Sequence, residues 1–152
     1  MYQQLEFEIK IVAENPSREY CNWEEVESLV KLVANKILSS DKIYDIILAI
    51  TNGGVIPARL IARELNIDHI QLIPVRQKKL YKEEMPILLT GKKYLVIDEI
   101  YDTGDIYSKV HDALKIFDCD YAFLMSRYEV NFKVAYIGKI LNHDKWIVFP
   151  WE

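Results

Sequence analysis

The sequence has few of the residues that build disulfide frameworks and metal centres. It contains two cysteines, Cys21 and Cys119, and three histidines among 152 residues. Two isolated thiols form neither a disulfide framework nor a zinc cluster, so we interpret both as reduced structural residues. The histidines are scattered and show no HExxH spacing, which argues against a zincin-like site.

A basic charge excess and a long apolar run are also missing. The formal net charge is -4, which argues against nucleic acid as a partner. No apolar run approaches the roughly 20 residues that span a bilayer, so we expect no membrane association. Residues 1–10 alternate charged and apolar side chains and lack an apolar signal core. We therefore expect a cytoplasmic protein whose partners are small molecules.

Hydrophobic periodicity predicts strands that alternate with helices. Asn22 and Glu25 have capping-box spacing before the first helix, and Asn66 is a plausible stop for the second. The predicted strands are 5–12, 43–50, 69–75, 94–98, 120–125 and 134–137, and the predicted helices are 23–38, 55–65 and 103–117. This order implies right-handed βαβ units, hence an α/β fold with a mostly parallel sheet.

In such folds ligands bind at the carboxyl ends of the strands. Three loops follow predicted strands there, at residues 51–54, 76–90 and 98–106. We therefore expect these loops to form one site.

The strongest motif is YLVIDEIYDTG at residues 94–104. An apolar strand leads to two adjacent acids, Asp98 and Glu99, and Asp102 precedes a Thr-Gly pair at a helix start. Helix N-termini bind phosphate through free N–H groups. Adjacent carboxylates can bind vicinal hydroxyls and a hydrated hard cation. Helix capping explains Asp102 but not two acids after a buried strand, so the motif indicates a site for a phosphorylated sugar.

This motif resembles the signature with which type I phosphoribosyltransferases bind 5-phosphoribosyl 1-diphosphate (PRPP). The upstream ILAITNGGVIPARLIAREL is similar to their diphosphate loop and following helix. The C-terminal DKWIVFPWE resembles the purine-binding end of the short xanthine-guanine and archaeal-type purine enzymes. The separation of Arg127 and Trp146 matches that of the family's purine-contacting Lys and stacking Trp. The resemblance covers about residues 22–152.

The resemblance implies one phosphoribosyltransferase domain over residues 1–152. Its mostly parallel central sheet would be flanked by helices and carry a small C-terminal hood. We expect residues 1–21 to be an N-terminal extension, residues 76–90 a flexible active-site loop and residues 126–152 the purine-binding hood. Members of the family are dimers or tetramers, so a homodimer or homotetramer is expected.

The resemblance also implies residue roles. Asp102 would be catalytic, as the proton acceptor beside the purine imidazole nitrogen. Asp98 and Glu99 would hold the ribose hydroxyls and the Mg²⁺ that accompanies PRPP. In this family the diphosphate loop often contains a non-proline cis peptide. The expected PRPP-binding residues are Asn52, Gly53, Gly54, Asp98, Glu99, Thr103, Gly104, Asp105 and Ile106. The expected purine-binding residues are Arg127, Trp146, Ile147 and Glu152.

Three positions depart from the family pattern. Asn52 replaces an Arg or Lys, Asp105 replaces a Gly or basic residue, and Ile106 replaces a Thr or Ser. Each lost charge-assisted hydrogen bond could cost about 1.5–3 kcal/mol. We expect Asp105 to point to solvent, because a carboxylate that faces a phosphate is repulsive. The basic residues that could replace the missing cation are Arg76, Lys78, Lys79 and Lys82.

These observations favour a Mg²⁺-dependent purine phosphoribosyltransferase of purine salvage. It would join ribose 5-phosphate from PRPP to xanthine, guanine or hypoxanthine. The three departures instead favour a non-catalytic PRPP- or nucleotide-binding regulator on the same fold. A third interpretation is an enzyme of this fold with another acceptor base. Asp102, Arg127 and Trp146 favour the purine enzyme, because a regulator needs neither a purine pocket nor a proton acceptor.

Overall fold

The computed structural model describes residues 17–130 and 135–152, so the predicted strand 5–12 lies outside the described residues. The helices are α1 (Trp23–Ser39), α2 (Val55–Leu65) and α3 (Asp105–Leu114). The strands are β1 (Arg18–Tyr20), β2 (Ile46–Ile50), β3 (Ile70–Ile73), β4 (Val75–Arg76), β5 (Lys79–Leu80), β6 (Lys93–Tyr101), β7 (Asp118–Ser126), β8 (Ala135–Ile140) and β9 (Trp146–Val148). Among the described helices, none has the length and apolar character that a bilayer span requires.

The central sheet has the strand order β3-β2-β6-β7-β8, and all its described pairings are parallel. This confirms the predicted α/β class and parallel sheet. Strand β6 is the middle strand, with Ile97 opposite Ala49 of β2 and Ala122 of β7. Its carboxyl end is therefore held from both sides.

Both faces of β6 are buried, as its continuous apolar run predicts. Leu95 and Ile97 pack with the apolar faces of α1 and α2. Tyr94 and Val96 pack on the other face with the apolar residues of α3. Burial of one large apolar side chain is worth about 1.5–3 kcal/mol, so this strand is a stable support for the residues at its end.

Strand β6 extends beyond its predicted end at Asp98 and continues to Tyr101. The extension is possible because β7 also runs on, and Tyr101 pairs with Ser126. Asp98 and Glu99 therefore lie inside a strand, where successive side chains point to opposite faces of the sheet. The two acids consequently approach the site from different sides.

The helix ends follow the expected chemistry, with one correction. Asn22 Oδ1 accepts the Glu25 N–H at 2.8 Å at the start of α1, and Asn66 ends α2 with a left-handed φ of 57°. The prediction of a helix over 103–117 was too long. Gly104 has φ 89° immediately before α3, and the Phe117 N–H binds the Leu114 carbonyl in a turn that leads into β7.

The segment 76–90, predicted to be a flexible loop, begins with a β-hairpin. Strands β4 and β5 pair antiparallel across Gln77 and Lys78, which have φ values of 50° and 62°. The sequence shows no period here because each strand has only two residues. Arg76 donates to both carboxylate oxygens of Glu84 at 2.9 and 2.8 Å, which ties the hairpin to the 3-10 turn Lys82–Glu84.

The predicted hood, 126–152, contributes to two sheets. Strand β8 is the edge strand of the central sheet, whereas β9 pairs in parallel with β1 in a separate two-stranded sheet. The last residues of the predicted extension 1–21 therefore contact the C-terminal segment. Neither β1 nor β9 was predicted, because three-residue strands carry little periodicity.

Candidate active site

Three adjoining cavities lie at the carboxyl ends of β2 and β6. The helix cavity, about 180 Å³, is bounded mainly by residues 98–107. The loop cavity, about 170 Å³, lies between residues 50–53 and 75–78. The C-terminal cavity, about 60 Å³, lies between Arg127 and residues 146–152. Glu99 lines all three cavities, so the three predicted site loops do meet, and they meet at this side chain.

Glu99 is held between the diphosphate-type loop and the C-terminus. A Cβ at Gly53 would overlap the Glu99 carboxylate, so a larger residue there would displace this side chain from its position. The Trp151 indole N–H donates to Glu99 Oε2 at 3.3 Å. The neighbouring Asp98 is 9% exposed and accepts the Glu99 backbone N–H at 2.8 Å. Trp151 was missed in the sequence, because an aromatic residue near the C-terminus carries no sign of this partner.

Burial makes both acids hard to ionise. It raises the pKa of Asp98 well above its ordinary value, and the adjacent charge of Glu99 adds to this. Burial also raises the pKa of Glu99 to about 7; the Trp151 N–H opposes this rise and the charge of Glu152 adds to it. A cation or hydroxyl donors would offset these shifts, because they favour the charged carboxylate.

The acid pair fits a magnesium ion that a substrate brings with it. Within residues 17–130 and 135–152, no group of three or more His, Cys, Asp or Glu side chains could hold a metal. Mg²⁺ usually keeps several waters and binds through one or two carboxylates together with substrate phosphates. Asp98 and Glu99 could supply those carboxylates, but they do not form a complete protein cage.

Asp102 and Arg127 form an ion pair at the rim of the C-terminal cavity. Arg127 Nε donates to Asp102 Oδ1 at 3.1 Å, and Nη1 donates to the His143 carbonyl at 3.1 Å. The Arg127 side chain is 10% exposed, whereas that of Asp102 is 49% exposed. The bond to His143 thus holds the arginine in place, and the half-exposed Asp102 carboxylate remains accessible to a ligand.

The predicted purine-binding residues are brought together. Arg127, Trp146, Ile147 and Glu152 all line the C-terminal cavity. The Trp146 side chain is exposed, and its ring could cover a planar ligand, whereas Ile147 is buried in the core. Trp151 stacks on Phe149 with a centroid distance of 5.0 Å.

The start of α3 lines the helix cavity with Thr103, Gly104, Asp105 and Ile106. The Asp105 N–H binds Thr103 Oγ1 at 3.2 Å. The Asp105 carboxylate is half exposed and binds Lys109 Nζ at 3.0 Å. Ile106 lines both the helix and the loop cavities.

The loop after β2 brings only part of its predicted residues to the site. Asn52 and Gly53 line the loop cavity, and the Thr51–Asn52 peptide bond is cis. Gly54 lines none of the three cavities. It caps α2 and packs so closely that a Cβ would lie 2.5 Å from the Ile97 carbonyl oxygen. Its role in the structure is close packing, and the sequence alone does not separate this from ligand contact.

The chain matches the phosphoribosyl transferase domain family over residues 17–152. It therefore belongs to the phosphoribosyltransferase family. It is 33% identical over 139 residues to the xanthine-guanine phosphoribosyltransferase of Desulfotalea psychrophila, which covers 86% of this chain and 84% of that protein.

Solved structures agree with this assignment. A purine phosphoribosyltransferase from Pyrococcus horikoshii is 27% identical, with a TM-score of 0.70 over 90% of this chain and 94% of that chain. The xanthine-guanine-hypoxanthine phosphoribosyltransferase of Helicobacter pylori is 18% identical and shares the fold, with a TM-score of 0.71 over 89% of this chain and 93% of that chain. The predicted type I phosphoribosyltransferase fold is confirmed.

The raised pKa of Glu99 predicts pH-dependent stability without Mg²⁺ or substrate. The unfolded carboxyl ionises near 4.5 and the folded one near 7, so its contribution is fully present below 4.5 and is lost as pH rises through 7. We expect Glu99→Gln to be more stable than wild type at pH 8, on the order of 2 kcal/mol or about 4–8 °C in Tm. At pH 4.5 the Tm values of Glu99→Gln and wild type should agree.

Thermal unfolding followed by circular dichroism from pH 4.5 to pH 8 measures this. Glu64→Gln, which makes the same change at an exposed position of α2, is the matched control and should follow wild type. Parallel Tm curves for Glu99→Gln and wild type would contradict the prediction.

Proposed function

We propose that this chain is a purine phosphoribosyltransferase of purine salvage. It transfers ribose 5-phosphate from PRPP to a 6-oxopurine, which is xanthine, guanine or hypoxanthine, and releases diphosphate. One observation carries the proposal: a partly buried acid, Glu99, lines three adjoining cavities whose chemistry suits the three parts of the reaction. The similarity to a xanthine-guanine enzyme supports the choice of base.

The helix and loop cavities suit the two ends of PRPP. The helix cavity contains the N-terminus of α3, where backbone N–H groups and the helix dipole attract a 5′-phosphate. Asp98 and Glu99 lie between the two cavities, where carboxylates can accept hydrogen bonds from the ribose hydroxyls. The loop cavity, beside Asn52 and Gly53, then receives the diphosphate.

The C-terminal cavity suits the base. Trp146 can stack on a purine, which favours a flat aromatic ligand. Arg127 has five N–H donors, and its described bonds to Asp102 and His143 use two of them. The others can donate to a 6-oxo group. Asp102 lines both this cavity and the helix cavity, so its carboxylate lies between base and sugar.

In the proposed reaction a purine nitrogen forms a bond to the ribose anomeric carbon. The bond from that carbon to diphosphate breaks, and its electron pair leaves with the diphosphate. The purine proton passes to Asp102, and Arg127 holds the 6-oxo group. Mg²⁺, bound to PRPP and held by Asp98 and Glu99, would neutralise charge on the diphosphate. The hairpin β4–β5 would help to exclude water from the loop cavity.

The experiment that tests this function uses each radiolabelled base with PRPP. We expect nucleotide formation with at least one of xanthine, guanine and hypoxanthine, and loss of activity when EDTA removes Mg²⁺. Adenine and orotate serve as control bases. PRPP binding without turnover of any base would support the regulator, which the departures at Asn52, Asp105 and Ile106 favour. Turnover of a control base alone would support another acceptor.

Asp102→Asn is predicted to slow turnover by about 10²–10⁴-fold, the usual contribution of a positioned general base. The amide oxygen can still accept the Arg127 N–H, so the variant removes the charge with little change in geometry. PRPP affinity by calorimetry should stay within a few-fold. Asp112→Asn, on the exposed side of α3 and paired with Lys115, is the matched control. An unchanged kcat in Asp102→Asn would remove Asp102 from the mechanism.

The enzyme is proposed to act in the cytoplasm as a homodimer or homotetramer. In support, Leu72 on the edge strand β3 is 50% exposed and Val55 at the start of the adjacent helix α2 is 39% exposed. Light scattering at micromolar concentration should give the mass of two or four chains, whereas a monomer mass would contradict this proposal.

A further inference from the structure

We propose that Lys78 is the cation that serves the diphosphate of PRPP in place of the missing charge at Asn52. This inference rests on the proposed function and deepens it. Lys78 lines both the loop cavity and the helix cavity, and it comes from the hairpin β4–β5, which faces the loop that carries Asn52.

The other basic residues of this segment are less suited. Arg76 also lines the loop cavity, but its guanidinium makes two hydrogen bonds to Glu84 and lies 3.9 Å from the Tyr81 ring centroid. Lys79 Nζ lies 5.0 Å from the same ring and lines none of the three cavities. Lys78 is therefore the cation of the hairpin that both borders the cavities and has no described acidic partner.

The backbone at Lys78 is in a conformation that needs support. Gln77 and Lys78 both have left-handed φ values, 50° and 62°, in a two-residue turn that normally prefers Asn-Gly. Such positions are costly for residues with a Cβ and persist when surrounding contacts hold them. Lys109 supplies a contact from α3, because its Nζ donates to the Lys78 carbonyl at 2.8 Å.

Asp105 completes this support. Its carboxylate binds the same Lys109 Nζ at 3.0 Å, one helical turn away. Asp105 and Lys109 are therefore positioning residues that fix the hairpin turn against the first turn of α3. In the sequence, a carboxylate at position 105 looks unfavourable near a phosphate. In the structure, Asp105 helps to position Lys78, the cation that replaces the one missing at Asn52.

The charge of the loop cavity supports the same assignment. Its lining includes two carboxylates, Asp98 and Glu99, and its other cation, Arg76, is already paired with Glu84. Without Lys78, the described lining of the loop cavity would offer a diphosphate only a cation that is already paired with an acid. The lysine ammonium can follow the leaving group as its charge develops, because it stands on a flexible stem.

Calorimetric titration of inorganic diphosphate, PRPP and ribose 5-phosphate, each with Mg²⁺, tests the role of Lys78. We expect Lys78→Met to weaken binding of diphosphate and of PRPP about tenfold or more, as for one lost charge-assisted hydrogen bond. Affinity for ribose 5-phosphate, which lacks the diphosphate, should change less than twofold. Lys79→Met makes the same change one residue along the hairpin and should bind all three ligands like wild type.

A double-mutant cycle tests the positioning role. Lys109→Met should weaken diphosphate binding less than Lys78→Met does. Lys109→Arg, which keeps a donor at this position, should bind diphosphate like wild type. The double variant Lys78→Met/Lys109→Met should bind like Lys78→Met alone, because Lys109 acts through Lys78. Additive losses would overturn the positioning role of Lys109.

The outcomes separate this inference from the proposed function. If wild type uses PRPP and Lys78→Met binds diphosphate with the same affinity as wild type, the assignment of Lys78 is overturned and the proposed function is not. Loss confined to ribose 5-phosphate binding assigns Lys78 to the 5′-phosphate and also overturns it. A wild type that binds none of the three ligands overturns the proposed function and this inference together.

Discussion

The parallel pairing of β6 with both β2 and β7 is the constraint on which the site depends. It fixes the position of two carboxylates that water would otherwise solvate, and it does so with apolar packing on both faces of the strand. Burial raises the pKa of both acids, so their ionisation costs free energy. A site with this cost favours ligands that bring positive charge or hydroxyl donors, which is the chemistry of a magnesium-bound sugar phosphate.

Strand geometry places the two acids, Asp98 and Glu99, on opposite faces of the sheet. Because side chains alternate along β6, Glu99 lies on the face that carries Leu95 and Ile97, where it contacts Gly53 and the Trp151 indole. Asp98 remains with the face that packs on α3. A single strand thus connects the loop before α2, the N-terminus of α3 and the C-terminal segment, and the three cavities adjoin for that reason.

The three departures from the family pattern, Asn52, Asp105 and Ile106, differ in the contacts that they make in the structure. Asp105 lines the helix cavity with its carboxylate paired to Lys109, whereas Ile106 lines two cavities without offering a hydroxyl. Asn52, where the family has a cation, lies in the loop after β2. The lysine that lines the same loop cavity, Lys78, comes instead from the β4–β5 hairpin, which follows β3. Substrate use in this chain is therefore a property of the assembled site and not of any one motif.

The sequence by itself determined the α/β class, the parallel sheet and the acid motif, because buried strands, amphipathic helices and their caps follow from local periodicity and short-range chemistry. Arg127, Trp146 and Glu152 were also predictable, through their resemblance to a family, and they do line one cavity. Tertiary structure alone decided that Gly54 packs against β6, that Trp151 donates to Glu99 and that Lys109 holds the Lys78 turn. These contacts join residues far apart in the chain, and two-residue strands and single hydrogen bonds leave no period in a sequence.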